Sequence, residues 1–169
     1  MKAHQDLVEV IRKDNGERRA LKDAKLGSHR IDVRLNEQLK FTASFGGFSF
    51  TIDEPTERGG TGVGPPPLAH FLAGAVSCLM TQFQKLALEK GVVIDSMKTV
   101  ARGHFDMRRG GAFSDVCYDI EMQSSASPQT IKGIAQQAEL MCYAHNTLRK
   151  CVTLKTNLTL NGDALIVGN

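Results

Sequence analysis

The sequence predicts an α+β fold in which most strands pair antiparallel. Segments with period-two alternation stand on both sides of one long helical segment, and strands and helices do not alternate one by one as they do in a doubly wound sheet. The predicted order is helix, three strands, long helix, two strands, helix, strand. The chain has 169 residues, enough for one core, so residues 30–169 are predicted to form a single domain.

Residues 1–29 are predicted to be an N-terminal extension that is part helical. Apolar residues share a narrow face between Gln5 and Lys13, and Asn15-Gly16 is predicted to end this helix. Strands of an antiparallel meander follow at residues 30–35 and 38–52. A tight turn at Gly46-Gly47 is predicted to break the second segment.

A loop and a long helix occupy the middle of the chain. Residues 53–67 are rich in glycine and proline and leave no room for regular structure. The helix is predicted over residues 67–90, because proline is tolerated in the first turn and Gly91 is placed to end it. Its first half is apolar on nearly every face and must be enclosed by protein. We therefore expect a partner subunit to supply part of the cover.

The last third of the sequence predicts two strands, a helix and a strand. The strands are expected at residues 92–105 and 112–122, around a turn at Arg108-Arg109-Gly110-Gly111. Ser127-Pro128 is typical of a helix start, and that helix is predicted to run through about Met141. Residues 152–160 alternate again as a final strand.

Charge and composition exclude several classes of protein. The net charge of +3 comes from 21 basic and 18 acidic residues that are spread along the chain, which disfavours nucleic-acid binding. The polar start of the chain has no apolar signal region, so a cytoplasmic location is expected. The apolar run from Leu68 to Met80 is too short to cross a membrane, which predicts a core helix. The glycines of residues 59–64 lack a following Lys-Ser/Thr, so they predict a turn and not a phosphate site.

Two of the four cysteines stand in informative surroundings. Cys78 lies midway along the long helix, among small residues that leave room beside its sulfur, and Cys142 lies 64 residues later near the end of the second helix. Cysteines in a mid-sized cytosolic chain are more often reactive, metal-binding or buried than structural disulfides. From placement alone, Cys78 and Cys142 are therefore candidates for a reactive, a metal-binding or a simply buried role.

Three segments together resemble the OsmC/Ohr family of peroxide-handling proteins, named for osmotically inducible protein C and organic hydroperoxide resistance. They are the glycine and proline loop before the helix, the small-residue helix around Cys78, and the stretch Cys142-x-x-His145-Asn146-Thr147-Leu148. The resemblance covers roughly residues 30–162. It implies antiparallel sheets that wrap long central helices in an intertwined homodimer, with two active sites at the interface.

The resemblance also implies a chemistry. Cys78 would attack the O–O bond of an organic hydroperoxide and become a sulfenic acid, Cys142 would condense with it to a disulfide, and an external dithiol would reduce that bond. The cycle needs no cofactor and no metal. The alternative is an OsmC-like dimer without efficient peroxidase activity that binds a small apolar ligand or senses oxidation.

The thiolate of a mid-helix cysteine needs a nearby cation, because burial favours the neutral thiol. Family members use an arginine from an early strand or loop, and Arg30, Arg34 and Arg58 are the candidates here. In the family a glutamate in the first turn of the long helix orients this arginine, whereas this chain has Leu68 and Ala69 there. The candidate acids for its replacement come from the preceding loop and are Asp53, Glu54 and Glu57.

The other two cysteines and the histidines are expected to have structural roles. Cys117 alternates with charged residues in a strand, Cys151 begins the last strand, and both are expected to be bystanders. His70 is expected to be an interface histidine. His145 could pair with Cys142 on a metal, but no second Cys/His pair has zinc spacing, so no metal site is predicted.

Overall fold

The computed structural model describes residues 2–21, 27–108 and 111–166, and it confirms the α+β class. The chain forms two compact units, one of Leu21–Ala73 and the other of Met1–Ala20 with Gly74–Asn169. Each unit contains one sheet, with three strands in the order β1-β2-β3 and four strands in the order β4-β5-β6-β7.

The smaller unit is the predicted antiparallel meander. Its strands are β1 (Asp32–Glu37), β2 (Lys40–Phe45) and β3 (Phe48–Ile52), and Phe45 pairs with Phe48 across the turn. Gly46 and Gly47 both have positive φ, at 53° and 86°, which a side chain at either position would strain. The turn predicted at these two glycines is thereby confirmed.

The loop after β3 is more ordered than its composition predicts. A single 3₁₀ turn occupies Thr56–Arg58, and the fully buried Asp53 accepts hydrogen bonds from the backbone N–H groups of Glu54, Thr61 and Val63 and from the Thr61 hydroxyl. Burial alone would raise the pKa of Asp53, but these four donors together lower it to about 2. The carboxylate therefore holds the loop closed.

Helix α2 (Pro67–Glu89) begins and ends within a residue of its predicted bounds. By length and hydropathy alone it could cross a membrane, but its second half forms the core of the larger unit, with Leu79, Phe83 and Leu86 at 0% exposure. Its first half is not enclosed within the single chain, where Leu68 is 49% exposed.

The larger unit has a mixed sheet. Its strands are β4 (Ser96–His104), β5 (Asp115–Gln123), β6 (Thr153–Leu160) and β7 (Asp163–Leu165). β4 and β5 form the predicted antiparallel pair, although Arg109 and Gly110 of the predicted turn lie outside the described residues. β5 and β6 pair in parallel, which was not predicted. One face of β5 is buried through alternate residues, namely Val116, Tyr118, Ile120 and Met122.

Three helices complete this unit: α1 (Lys2–Ala20), α3 (Pro128–Met141) and the short α4 (Tyr143–Leu148). α3 agrees with its prediction, and the Ser127 side chain caps it by accepting from the Thr130 N–H. The predicted end of the first helix at Asn15-Gly16 is wrong, because the fully buried Asn15 donates a 2.8 Å hydrogen bond to Glu89 and the helix continues to Ala20. α4 was not predicted.

Candidate active site

The sulfur atoms of Cys78 and Cys142 lie 3.3 Å apart, and the Cys142 thiol donates a hydrogen bond to the Cys78 sulfur. Both are free thiols, at a distance that a small movement converts into a covalent bond of about 2.05 Å. Cys78 comes from the middle of α2, where it is half-buried, and Cys142 comes from the junction of α3 and α4. Two segments far apart in sequence therefore meet at one pair of sulfurs.

The backbone at the α3–α4 junction aims the Cys142 sulfur. Cys142 leaves the helical conformation, with φ −81° and ψ 115°, and serves as the N-cap of α4. Its sulfur accepts a hydrogen bond from the backbone N–H of His145 at 3.4 Å. The amide of Asn146 donates to the Leu140 carbonyl at 2.8 Å and ties the two sides of the junction together. The break between the helices thus places the thiol.

The surroundings of Cys142 keep it protonated. The residue is 0% exposed, and this burial raises its pKa to about 11, with a further rise from Cys78 and a partial opposing effect of the His145 and Ala144 N–H groups. At neutral pH Cys142 is therefore a thiol that donates, while Cys78 is the sulfur that accepts. The two cysteines therefore differ in hydrogen bonding, with Cys142 as the donor and Cys78 as the acceptor.

Three buried polar groups near the sulfurs have no hydrogen-bond partner among the described residues: the Tyr118 hydroxyl, His145 Nδ1 and Gln82 Oε1. Burial raises the pKa of Tyr118 to about 12, and the charges of Cys142 and Cys78 add to the effect, so the phenol stays protonated. Burial lowers the pKa of His145, which favours the neutral imidazole. The rings of Tyr118 and His145 lie 6.5 Å apart, and Gln82 stands one helical turn beyond Cys78.

Sequence reasoning did not assign Tyr118 or Gln82 to this site. The alternation that buries Val116, Tyr118 and Ile120 on one face of β5 is visible in the sequence and places the phenol in the core. Gln82 follows Cys78 at helical spacing. Buried polar groups without partners are uncommon in native proteins and concentrate where a ligand, water or reacting group completes them.

The raised pKa of Cys142 predicts a dependence of stability on pH. Folding stabilises the protonated form, since the pKa is about 11 in the folded chain against an ordinary value of 9.0. The contribution is therefore fully present below pH 9 and is lost as the pH rises through about 11. In urea titrations across this range, wild type should lose stability relative to Cys142→Ser. Parallel pH profiles for the two proteins would contradict the prediction.

The three candidate arginines all lie in the smaller unit. Arg30 donates to Asp32 at 2.7 Å, Arg58 lies 3.8 Å from Glu54, and Arg34 is exposed on β1 opposite Thr42. The structure does not bring them together at one site. Among the candidate acids, Asp53 is fully engaged by the loop that follows it.

The other candidate residues have local contacts. Cys117 on β5 accepts a hydrogen bond from the Asn157 amide at 3.4 Å, Cys151 is exposed, and His70 Nε2 lies 3.1 Å from the Thr51 carbonyl. Within the described part of the chain, no group of three or more His, Cys, Asp or Glu side chains is arranged to hold a metal ion.

Comparison with known proteins gives the family. A hydroperoxide reductase from Mycoplasma pneumoniae is 28% identical over 139 residues, with 77% of this chain and 93% of the relative covered. The crystal structure of an OsmC-like protein from Mycoplasma pneumoniae has a TM-score of 0.71 at 25% identity, over 80% of this chain and 99% of that one. An organic hydroperoxide resistance protein OsmC from Legionella pneumophila shares the fold, with a TM-score of 0.60 at 14% identity over 80% and 99% of the two chains. The model of the OsmC-like protein family matches residues 59–157, and with the fold and the paired cysteines it shows that this chain belongs to the OsmC-like family.

Proposed function

We propose that the protein is a thiol-dependent peroxidase that reduces organic hydroperoxides, with Cys78 as the peroxidatic and Cys142 as the resolving cysteine. The observation that carries the proposal is the sulfur pair, 3.3 Å apart with Cys142 donating to Cys78. A sulfur that accepts a hydrogen bond is stabilised as the thiolate, which is the nucleophilic form.

The proposed catalytic cycle has three steps. The Cys78 thiolate attacks the O–O bond of ROOH, which gives the Cys78 sulfenic acid and an alkoxide that leaves as ROH after protonation. Cys142 then attacks the sulfenic sulfur, a disulfide forms, and the hydroxyl group leaves with the thiol proton as water. An external dithiol finally reduces the bridge and becomes a disulfide itself. A reducing cytoplasm, the location we propose, would supply that dithiol.

Exposure supports this division of roles. Cys78 is half-buried and within reach of a small peroxide, whereas Cys142 is 0% exposed and reaches only what is already bound beside it. A resolving thiol benefits from this arrangement, because it meets the sulfenic acid before a second peroxide does. Access therefore supports Cys78 as the first sulfur to react, and so does the hydrogen bond that it accepts.

The cation that holds the Cys78 thiolate is proposed to be one of Arg30, Arg34 and Arg58. Arg58 is the candidate whose carboxylate partner, Glu54, comes from the loop before α2, and such a pair could replace the glutamate that the family has where this chain has Leu68. The partner of Arg30, Asp32, is on β1 and both side chains are largely exposed. Arg34 remains a candidate by its strand position.

A homodimer is part of the proposal. Large apolar side chains of the smaller unit are exposed in the single chain, and exposed apolar area of this kind is typical of a surface that a partner covers. The exposed first half of α2 belongs to the same set. The exposed apolar side chains include Val33, Leu35, Phe45, Phe48 and Leu68, whose exposed fractions run from 48% at Phe45 to 78% at Phe48.

The names of the relatives and this apolar surface support the proposed substrate class. The Mycoplasma pneumoniae relative is named as a hydroperoxide reductase, and the Legionella pneumophila protein is named for organic hydroperoxide resistance. Apolar walls at a shared interface favour an alkyl or aryl hydroperoxide over hydrogen peroxide, since only the organic substrates bury apolar area on binding.

Rapid mixing of the reduced protein with cumene hydroperoxide tests the proposal. We expect the loss of two thiols per subunit, and mass mapping without reduction should find them joined as a Cys78–Cys142 bridge. Cys117→Ser and Cys151→Ser are matched controls that should leave both results unchanged. A protein that keeps its thiols under these conditions, or that bridges a different pair, would overturn the proposed function.

A further inference from the structure

Helix α1, which precedes the residues matched by the family model, is fastened to the helix that carries Cys78. Asp14 accepts from Lys85 at 2.7 Å, and Glu89 accepts from Asn15 at 2.8 Å and from Arg19 Nη2 at 3.1 Å. The side chain of Glu89 is 19% exposed, and Ile11 of α1 is 6% exposed. α1 therefore has a fixed position along the second half of α2.

The same helix reaches the segment that carries Cys142. Arg18 Nη2 donates a hydrogen bond to the Met141 carbonyl at 3.3 Å, and the Arg18 guanidinium lies 5.0 Å from the centroid of the Tyr143 ring. Met141 and Tyr143 are the two residues that flank Cys142. One side chain thus contacts the backbone before the cysteine and the ring after it.

The chemistry of these contacts suits a guanidinium. Met141 ends α3, where carbonyl groups lack partners within the helix and the helix dipole favours a cation. Tyr143 is 71% exposed, so its ring offers a face to a planar cation at the surface. A planar group can hydrogen-bond in its plane and stack on its face together, which a lysine ammonium cannot do.

We propose that Arg18 is a positioning residue that holds the Cys142 segment against the helix carrying Cys78, and that α1 is the helix that connects the two. The catalytic consequence of this role rests on the proposed function, whereas the contacts of Arg18 do not depend on it. α1 is bound to α2 through Asp14, Asn15 and Arg19. It is bound to the junction of α3 and α4 through Arg18. Under this proposal, the 3.3 Å distance between the two sulfurs depends on both sets of contacts.

A glutathione redox buffer measures this positioning without any peroxide. Oxidised glutathione reacts with the two thiols to give the Cys78–Cys142 disulfide and two molecules of reduced glutathione, in two exchanges. The first exchange forms a mixed disulfide on Cys78, and the second closes the bridge as Cys142 displaces glutathione. The equilibrium constant of the overall reaction reports how well the fold holds the two sulfurs together.

Arg18→Ala should lower this equilibrium constant and the rate of bridge closure by about fivefold, while the rate of the first exchange stays unchanged. Tyr143→Ala, at an exposed position, should act in the same direction, and Arg18→Lys should retain only part of the effect. Arg12→Ala is the matched control, because Arg12 is exposed on the same helix.

Three outcomes decide the inference. A bridge that closes in Arg18→Ala as fast as in wild type overturns it. A variant whose Cys142 becomes rapidly alkylated, with the first exchange also altered, has a loosened fold and likewise overturns a specific positioning role. If wild type does not react with cumene hydroperoxide while Arg18→Ala still closes more slowly with glutathione, the proposed function fails and the positioning role stands.

Discussion

Cys78→Ser should lose the reaction with cumene hydroperoxide by roughly three orders of magnitude or more, since a hydroxyl at its ordinary pKa is a far weaker nucleophile than a thiolate. The measurement is stopped-flow loss of peroxide under single-turnover conditions. The substitution replaces one half-buried atom in the middle of α2, and the fold should persist. Circular dichroism of the variant checks that it does.

Cys142→Ser should behave differently. It leaves Cys78 able to attack, so the first turnover should proceed, but no neighbouring thiol then captures the sulfenic acid. Intact-mass spectra should show the addition of one oxygen atom and, with excess peroxide, of two. Sulfinic acid should accumulate in this variant at peroxide levels that wild type survives.

The pair of variants separates the two roles. Equal peroxide consumption by Cys78→Ser and wild type would disprove the mechanism, and so would the reverse pattern, in which Cys142→Ser alone loses the first step. Cys151→Ser, at an exposed cysteine, should match wild type in both assays.

The largest expected loss of stability is at Phe83. Its ring, on the second half of α2, is 0% exposed in the core of the larger unit, and Phe83→Ala should cost about 3–5 kcal/mol of the free energy of unfolding, through lost apolar burial and the cavity that remains. Urea titration followed by circular dichroism measures the change. A loss below about 1 kcal/mol would show that this site is not packed as described.

Gln84 provides the matched control for Phe83. It is the next residue of the same helix and is exposed, so Gln84→Ala keeps the helix and removes no core contact. Its effect should stay within about 0.5 kcal/mol. The contrast between neighbouring positions isolates packing from helix propensity, because alanine favours the helix at both.

Helix α2 and the meander were predictable because local rules dominate there. Proline is compatible with the first turn of a helix and glycine with its end, so Pro67 and Gly91 bound α2 closely. Gly46 and Gly47 specify the turn between β2 and β3 through their positive φ. The pairing of Cys78 with Cys142 was expected from the resemblance to the family, since no local rule joins residues so far apart.

The elements that the sequence did not predict depend on distant contacts. α1 continues past Gly16 because Asn15 and Arg19 bind Glu89, which lies 74 and 70 residues away from them in the sequence. The parallel pairing of β6 with β5 leaves no mark on the alternation of either strand. The sequence did not select one of Arg30, Arg34 and Arg58, because a long cationic side chain acts at a distance that sequence position does not fix.

The parallel pairing of β5 with β6 also bears on the order of folding. Parallel strands cannot be joined by a tight turn, so the end of β5 at Gln123 and the start of β6 at Thr153 are linked by a crossover that contains α3, α4 and Cys142. The entropy of closing that crossover must be lost before β6 gains its contacts, which places this step late in folding. If Cys142 reaches Cys78 only with this step, a chain that has not completed it lacks the resolving thiol of the proposed cycle, and we expect it to be oxidised irreversibly more readily than the folded protein.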